Sequence, residues 1–371
     1  MRIALFCHTL LSDWNHGNAH FLRGVVTELV ARGHEVRVFE PRSAWSVRNL
    51  IADHGEEALE WARQAFPSVA PTRYEPQELN LDEALDGCAL VIVHEWNEPE
   101  LVKRIGSHRV RGGGYRLLFH DTHHRSVTAP EQMGAFDLSG YDGVLAFGEA
   151  VRQEYLSRGW ATRAWTWHEA ADARAFRPLS RPADEVEGDV VWVGNWGDGE
   201  RTRELSTFLL EPVKALGLNG TVYGVRYPSE ARRELAAANL RYGGWLPNFR
   251  VPEALAAHRL TVHVPRNAYR TRLPGIPTIR PFEVLACGAA LVSAPWEDVE
   301  GLFAPGRDYL VANDELEMRR HMRAVVEEPA LRRELGEHGR RTVLARHTCA
   351  HRVDELLRIY RGLTAPLEKG S

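Results

Sequence analysis

The sequence of 371 residues has almost no lysine: Lys103, Lys214 and Lys369 are the only three among its 46 basic side chains, and the rest are arginine. Set against 50 acidic residues this gives a formal net charge of −4, so the basic surplus of a dedicated polynucleotide binder is lacking. The arginine bias by itself reads as genome background. Cysteine is scarce and scattered. Cys7, Cys88, Cys287 and Cys349 form no CxxC or Cys/His spacing, which excludes a structural zinc site of the usual kind. Three of them sit in apolar runs, where a thiol behaves as a small buried hydrophobe, and this suits a reducing compartment. No stretch of 18 apolar residues exists, so no transmembrane helix is expected. The run Ile3–Cys7 is too short for a signal-peptide core, and the expected location is cytoplasmic. GxGxxG, Asp-x-Asp, short repeats and low-complexity tracts are all missing.

What is present is ordinary globular material, 44% apolar and 26% charged, in a length that suggests two domains. The 17 histidines and 11 tryptophans are heavy for this length. Arg2-Ile3-Ala4-Leu5-Phe6-Cys7-His8 is a continuous apolar run, as in a strand buried on both faces. A polar loop follows, then Phe21, Leu22, Val25, Val26, Leu29 and Val30 at helical spacing, closed by Gly33. Glu35–Glu40 is the next strand. This β-α-β opening signals a doubly wound fold. Further strands are predicted over 88–94, 115–120 and 143–147, and a helix over 149–158. The Pro-rich stretch from Phe176 to Pro182 breaks the pattern and marks a boundary. The rhythm restarts with strands over 189–193, 220–224, 241–243, 260–264 and 290–293, a helix over 280–288 and a helical segment over 331–363. The expected architecture is α/β, with two doubly wound, Rossmann-like domains facing a central cleft.

Ligands in such folds bind beyond the carboxyl ends of the strands. Four loops there carry chemistry. In the first, His16-Gly17-Asn18, Gly17 allows close backbone approach and Asn18 is placed to cap a helix whose N-terminus attracts anions. A capped turn without a ligand is the plain alternative. The second, His120-Asp121-Thr122-His123-His124, crowds ionisable groups at a strand end, where His120 or Asp121 can accept a proton. A metal site and a solvated polar loop are its rivals. The third, Gly194-Asn195-Trp196-Gly197-Asp198-Gly199, is followed by Arg201 and Arg203, and glycines with a guanidinium suit a diphosphate. The fourth runs from Pro274 to Glu283. Thr278 and Ile279 offer backbone N–H groups at a helix start, and Glu283, read as lying on the first helical turn, suits a ribose diol.

Arg280-Pro281-Phe282-Glu283-Val284-Leu285-Ala286-Cys287-Gly288-Ala289-Ala290-Leu291-Val292-Ser293 resembles the FE-x-L-A-C-G-x-P-L-V element of the retaining GT-B glycosyltransferases, in the CgeB-like and glycosyltransferase family 4-like branch. Trp14–Phe21, Leu118–His124 and Val193–Asp198 resemble other segments of that family, in the same order. The resemblance implies an N-terminal acceptor domain over 1–178, a C-terminal donor domain over 179–347 and a last helix over 348–371 that crosses back to the first domain. The donor is then a nucleotide-diphosphate sugar. Glu283 matches the residue on its ribose, and Gly243-Gly244-Trp245-Leu246 matches the loop near the base. Arg201, with Arg266 as a second candidate, falls near the pyrophosphate. His16, Gly17 and Asn18 would face the phosphates, together with Gly194 and Asn195. His120 and Asp121 match the acceptor side and, with Arg201, make up the expected catalytic set. Many relatives carry a further glutamate eight positions before Glu283, where this chain has Gly275; backbone groups from Gly275 to Ile279 would take over.

The implied activity is hexosyltransferase-like, retaining and metal-independent, with no cofactor beyond the donor substrate. The lack of Asp-x-Asp agrees with metal independence. The expected partners are the nucleotide sugar and a small-molecule or glycan acceptor, with no nucleic acid and no integral membrane segment. A homodimer is left open. Trp14 and Trp96 are candidates for stacking on a sugar or aglycone, and Trp45, Trp61 and Phe66 lie in a stretch that would shape the acceptor side. A nucleotide-sugar epimerase or hydrolase, and a non-catalytic nucleotide- or glycan-binding protein, are the alternatives.

Overall fold

The structure, a computed structural model, describes residues 1–180, 186–197 and 199–365. Of the residues read above, Arg181, Pro182, Asp198 and Lys369 lie outside the described residues. The chain folds as two compact units, each built on one parallel sheet with helices.

The first unit comprises Met1–Ser12, Phe21–Glu169 and Cys349–Ser371. Its strands are β1 (Arg2–Phe6), β2 (Glu35–Pro41), β3 (Thr72–Tyr74), β4 (Cys88–His94), β5 (Arg116–Asp121), β6 (Gly143–Ala146) and β7 (Ala164–Thr166). They pair in parallel in the order β3-β2-β1-β4-β5-β6-β7. The order reverses between β1 and β4, and this switch is where the loops at the carboxyl edge splay apart. The central strands are apolar between their ends, as in a sheet buried on both faces: Ile3 of β1, Leu90 and Val91 of β4 and Leu117 of β5 are all buried. The last helix, Cys349–Thr364, is part of this unit. The Trp167 indole donates to the Arg352 carbonyl at 2.8 Å, and Arg32 pairs with Asp354 at 2.5 Å.

The second unit comprises Asp13–His20 and Ala170–Thr348. Its strands are β8 (Gly188–Val193), β9 (Gly220–Tyr223), β10 (Leu240–Gly244), β11 (His258–His263), β12 (Leu291–Ser293) and β13 (Leu310–Val311), in the order β10-β9-β8-β11-β12-β13, again all parallel. One face of the sheet packs Val190, Trp192, Leu209, Val262 and Met322; the other packs Val191, Phe282, Leu285 and Leu291. Among the described residues no helix is long and apolar enough to cross a membrane.

The doubly wound α/β reading holds for both halves. Three strands escaped it: β3, β7 and β13 have three, three and two residues, too few for a periodicity to show. The segment 331–363 is not one helical stretch. It divides into Pro329–Arg346 and Cys349–Thr364. The break is held by hydrogen bonds outside any helix. The buried His347 ring bonds the Leu302 carbonyl at 2.8 Å, the His347 carbonyl accepts from the Ala171 amide at 3.0 Å, and Thr348 bridges to Ala171.

The helix Pro329–Arg346 lies against the turn at Gly288, whose φ is 65°. A Cβ at Gly336 would fall 2.1 Å from the Gly288 carbonyl oxygen. Ala normally stabilises a helix interior relative to Gly by about 1 kcal/mol. Here the contact reverses the sign, and Gly336→Ala is expected to destabilise the protein by about 1–3 kcal/mol in urea unfolding.

Candidate functional site

The carboxyl edge of the second sheet gathers most of the donor residues named from the sequence. Arg201, at the head of a short helix after β8, donates Nε and Nη2 to the Asn195 carbonyl at 3.1 and 2.5 Å. It donates Nη1 to the Val264 carbonyl at 3.1 Å. It therefore staples the loop after β8 to the loop after β11, with its guanidinium over the Trp192 ring. Burial, with added repulsion from Arg266 and Arg280, pushes its pKa down to about 10. Arg266 pairs with Glu200 at 2.8 Å. His263, at the end of β11, shares a 3.0 Å hydrogen bond with Ser293. Burial and the charges of Arg201 and Arg280 push it down to about 3, so its imidazole is neutral at physiological pH. Gly194 is held from both sides: its amide donates to the Tyr223 carbonyl at 2.9 Å, and its carbonyl accepts the Tyr227 hydroxyl at 2.6 Å.

The helix Ile279–Ala286 opens at this edge. Its N-cap residue, Thr278, has φ 62°, a left-handed backbone that a β-branched residue rarely adopts. Such strain is retained where the surroundings over-determine it. Here Gly275 (φ 85°) donates its amide to the Glu297 carbonyl at 2.7 Å just upstream. Glu283 is not on the first turn, as the sequence suggested, because the helix begins at Ile279 and places it one turn further in. It is fully buried, and burial raises its pKa against the opposing pull of Arg280 and Asn248.

A network surrounds that carboxylate. Asn248 Nδ2 donates to Glu283 Oε1 at 2.8 Å, and Arg280 Nη1 lies 2.6 Å from Oε2. His20 Nε2 accepts the Asp172 amide at 3.1 Å, so the neutral ring carries its proton on Nδ1, which faces Asn248 Oδ1 at 3.2 Å. Asp13 accepts the Trp245 indole N–H and the Asn248 amide, each at 3.2 Å. Gly17 lies against Ile279: a Cβ there would be 3.7 Å from Ile279 Cγ2. Asn195 donates to the side chain of Asn15, which has φ 51°. His16 is buried, Asn18 opens the helix Asn18–Ala31, and Leu246, just after β10, packs against the core that holds Phe282. Sequence reasoning missed Asp13, His20, Asp172 and Asn248. His20 lies inside the Trp14–Phe21 segment but was not singled out, the other three lie in no motif, and only the fold brings them to Glu283.

At the carboxyl edge of the first sheet, His120 and Asp121 are both fully buried. The His120 ring packs among Phe21, His94 and Trp167, with centroids 4.8–6.0 Å away, and burial pushes it down to about 3. Asp121 accepts the Tyr155 hydroxyl and the His123 amide, each at 2.9 Å. Glu95, beside it, forms an ion pair with Arg125 and accepts from Thr122, which also meets His94. Burial raises both Asp121 and Glu95, and the charge of Asp121 adds to the rise at Glu95. His123, not His120, is the partly exposed histidine of the run, and it lies 5.2 Å from Trp96. Among the described residues no cluster of His, Cys, Asp and Glu is arranged to hold a metal ion.

Residues 201–358 match the family described as Glycosyl transferase-like. No curated protein matches the chain in sequence. Several solved structures share its fold. Sucrose-phosphate synthase from Thermosynechococcus elongatus superposes with a TM-score of 0.67 at 16% identity, over 98% of this chain and 99% of that one. Anabaena HepE, solved in complex with UDP-glucose, gives 0.66 at 11%, over 97% and 100%. An alpha-glucosyltransferase in complex with UDP and a DNA 13-mer gives 0.69 at 14%, over 97% and 99%. The fold is thus GT-B, with two Rossmann-like α/β halves.

The buried histidines set an acid response. His120 and His263 both titrate near 3 when folded but near 6.5 when unfolded. Between these values the unfolded chain binds more protons, so stability falls as pH drops from 6.5 to 3. His120→Phe is expected to reduce the loss of melting temperature between pH 7 and pH 4.5, measured by circular dichroism.

Proposed function

We propose that this protein is a glycosyltransferase that moves a sugar from a nucleotide-diphosphate donor to an acceptor hydroxyl, with retention and without a metal ion. The observation that carries the reading is the carboxyl edge of the second sheet, where Arg201, Arg266 and Arg280 converge near a helix start, inside the stretch that matches the Glycosyl transferase-like family. The UDP-glucose named for Anabaena HepE makes a UDP-sugar the donor class to test first.

The chemistry follows from charge. As the bond from the anomeric carbon to the β-phosphate oxygen breaks, negative charge collects on the departing diphosphate. Guanidinium groups and helix N–H dipoles preorganised there stabilise it more in the transition state than in the ground state. The acceptor hydroxyl attacks from the leaving-group face, and its proton passes to the departing phosphate. Arg201 acts by holding the two loops in place, while Arg266 and Arg280 meet the phosphates. Glu283 takes the ribose hydroxyls, with Asn248 and Arg280 keeping its carboxylate charged and aimed. The loop at Trp245 and Leu246 lies beside the base, and Gly17 faces the phosphates. Buried thiols agree with a reducing, cytoplasmic setting.

The test is nucleoside-diphosphate release across a panel of nucleotide sugars, with and without added acceptors. Release that needs an acceptor is expected, whereas turnover without one would favour an epimerase or hydrolase. Glu283→Gln should weaken UDP binding about 10- to 100-fold, the worth of a hydrogen bond to a charged group. Unchanged binding in titration calorimetry would overturn the ribose assignment.

A further inference from the structure

Four loops at the carboxyl edge of the first sheet each deliver one ring to a single cluster. His8 follows β1, Trp45 follows β2, Trp96 follows β4 and His123 follows β5. The His8 and Trp45 rings lie 4.7 Å apart at 32°, and Trp45 and Trp96 lie 6.2 Å apart at 70°. Trp96 and His123 lie 5.2 Å apart at 76°. Both indoles and His123 are half-buried, while His8 forms the buried floor. Trp96 therefore stands nearly square to its neighbours on both sides, and the walls form a corner, not a slot.

The charge of this corner is already neutralised. The Arg125 guanidinium lies over the Trp96 ring at 4.4 Å and is committed to the Glu95 carboxylate and, at 2.9 Å, to the Glu95 carbonyl. His8 Nε2 accepts the Ser46 amide at 3.3 Å, and burial pushes the ring down to about 4, so it carries no charge at neutral pH. A ligand bearing phosphate or carboxylate finds no uncommitted cation among these residues. A puckered, neutral sugar ring presents a C–H face to one indole and an edge to the other.

We infer that this corner binds the pyranose ring of a neutral glycan, and that the acceptor of the proposed transfer is such a saccharide. The inference rests on the transferase reading for the word acceptor, but the binding site itself does not. Trp45 and Trp96 supply the stacking surfaces, and Arg125 fixes the plane of Trp96.

The test is saturation-transfer NMR of the full chain against neutral saccharides (methyl glucoside, maltose, cellobiose, lactose), the charged sugars glucose 6-phosphate and glucuronate, and the flat aromatic p-nitrophenol, with UDP titrated separately by calorimetry. Neutral saccharides are expected to bind through their ring C–H protons. Trp45→Leu and Trp96→Leu, on separate loops, should each weaken that binding at least tenfold while UDP affinity is unchanged. Trp96→Phe, which keeps a stacking face, should restore part of it. UDP binding with no neutral saccharide bound, or with a preference for the charged sugars or p-nitrophenol, overturns the inference and leaves the transferase reading standing. Saccharide binding without UDP binding keeps the site and sinks the transferase reading. Saccharide binding that survives both leucine variants also overturns the inference.

Discussion

A carboxylate with no access to water must have its charge answered by the protein, and much of the second unit's carboxyl edge is the answer to Glu283. Asn248 and Arg280 answer it directly, and His20 lies next to it. Asp13 and Asp172 then hold Asn248 and His20 by their backbone and side-chain groups. Remove the buried charge and the reason for this arrangement disappears with it.

A parallel economy governs the first unit. Its strand-end histidines look reactive as a sequence, but β4 and β5 pair His94 with His120 in register and drive both rings inward. The polar groups that remain satisfy one another: Thr122 joins His94 to Glu95, and Arg125 closes the chain. Trp45, Trp96 and His123 stay half-buried there. The second sheet's edge, by contrast, keeps its arginines beside carboxylates, Arg266 with Glu200 and Arg280 with Glu283.

The fold was legible wherever burial on both faces forced continuous apolar runs, as in Cys88–His94, predicted and observed with the same bounds. It was illegible where strands are edges of two or three residues, such as Leu310–Val311, which carry no period. At the site, the glycines and arginines stood out because spacing after a strand has meaning by itself. Asn248 and Asp13 did not, since neither lies in a recognisable local pattern and 235 positions separate them. His120 and Asp121 were legible as a titratable patch, but their orientation was not. The side on which a strand residue points depends on its pairing register, and the pairing is a property of the whole sheet.

The assignment of Asp13–His20 to the second unit bears on how this chain can be divided. A cut at the Pro-rich stretch yields a fragment with every strand of the second sheet yet without Asp13 and His20. Asn248 then loses the partners of its amide and its side-chain oxygen, and Glu283 keeps a buried charge with a weakened escort. The second half is therefore not a self-contained module. Recombining it with a foreign first half requires carrying eight residues from the start of the chain, a constraint on modular exchange that the sheet boundaries alone would hide.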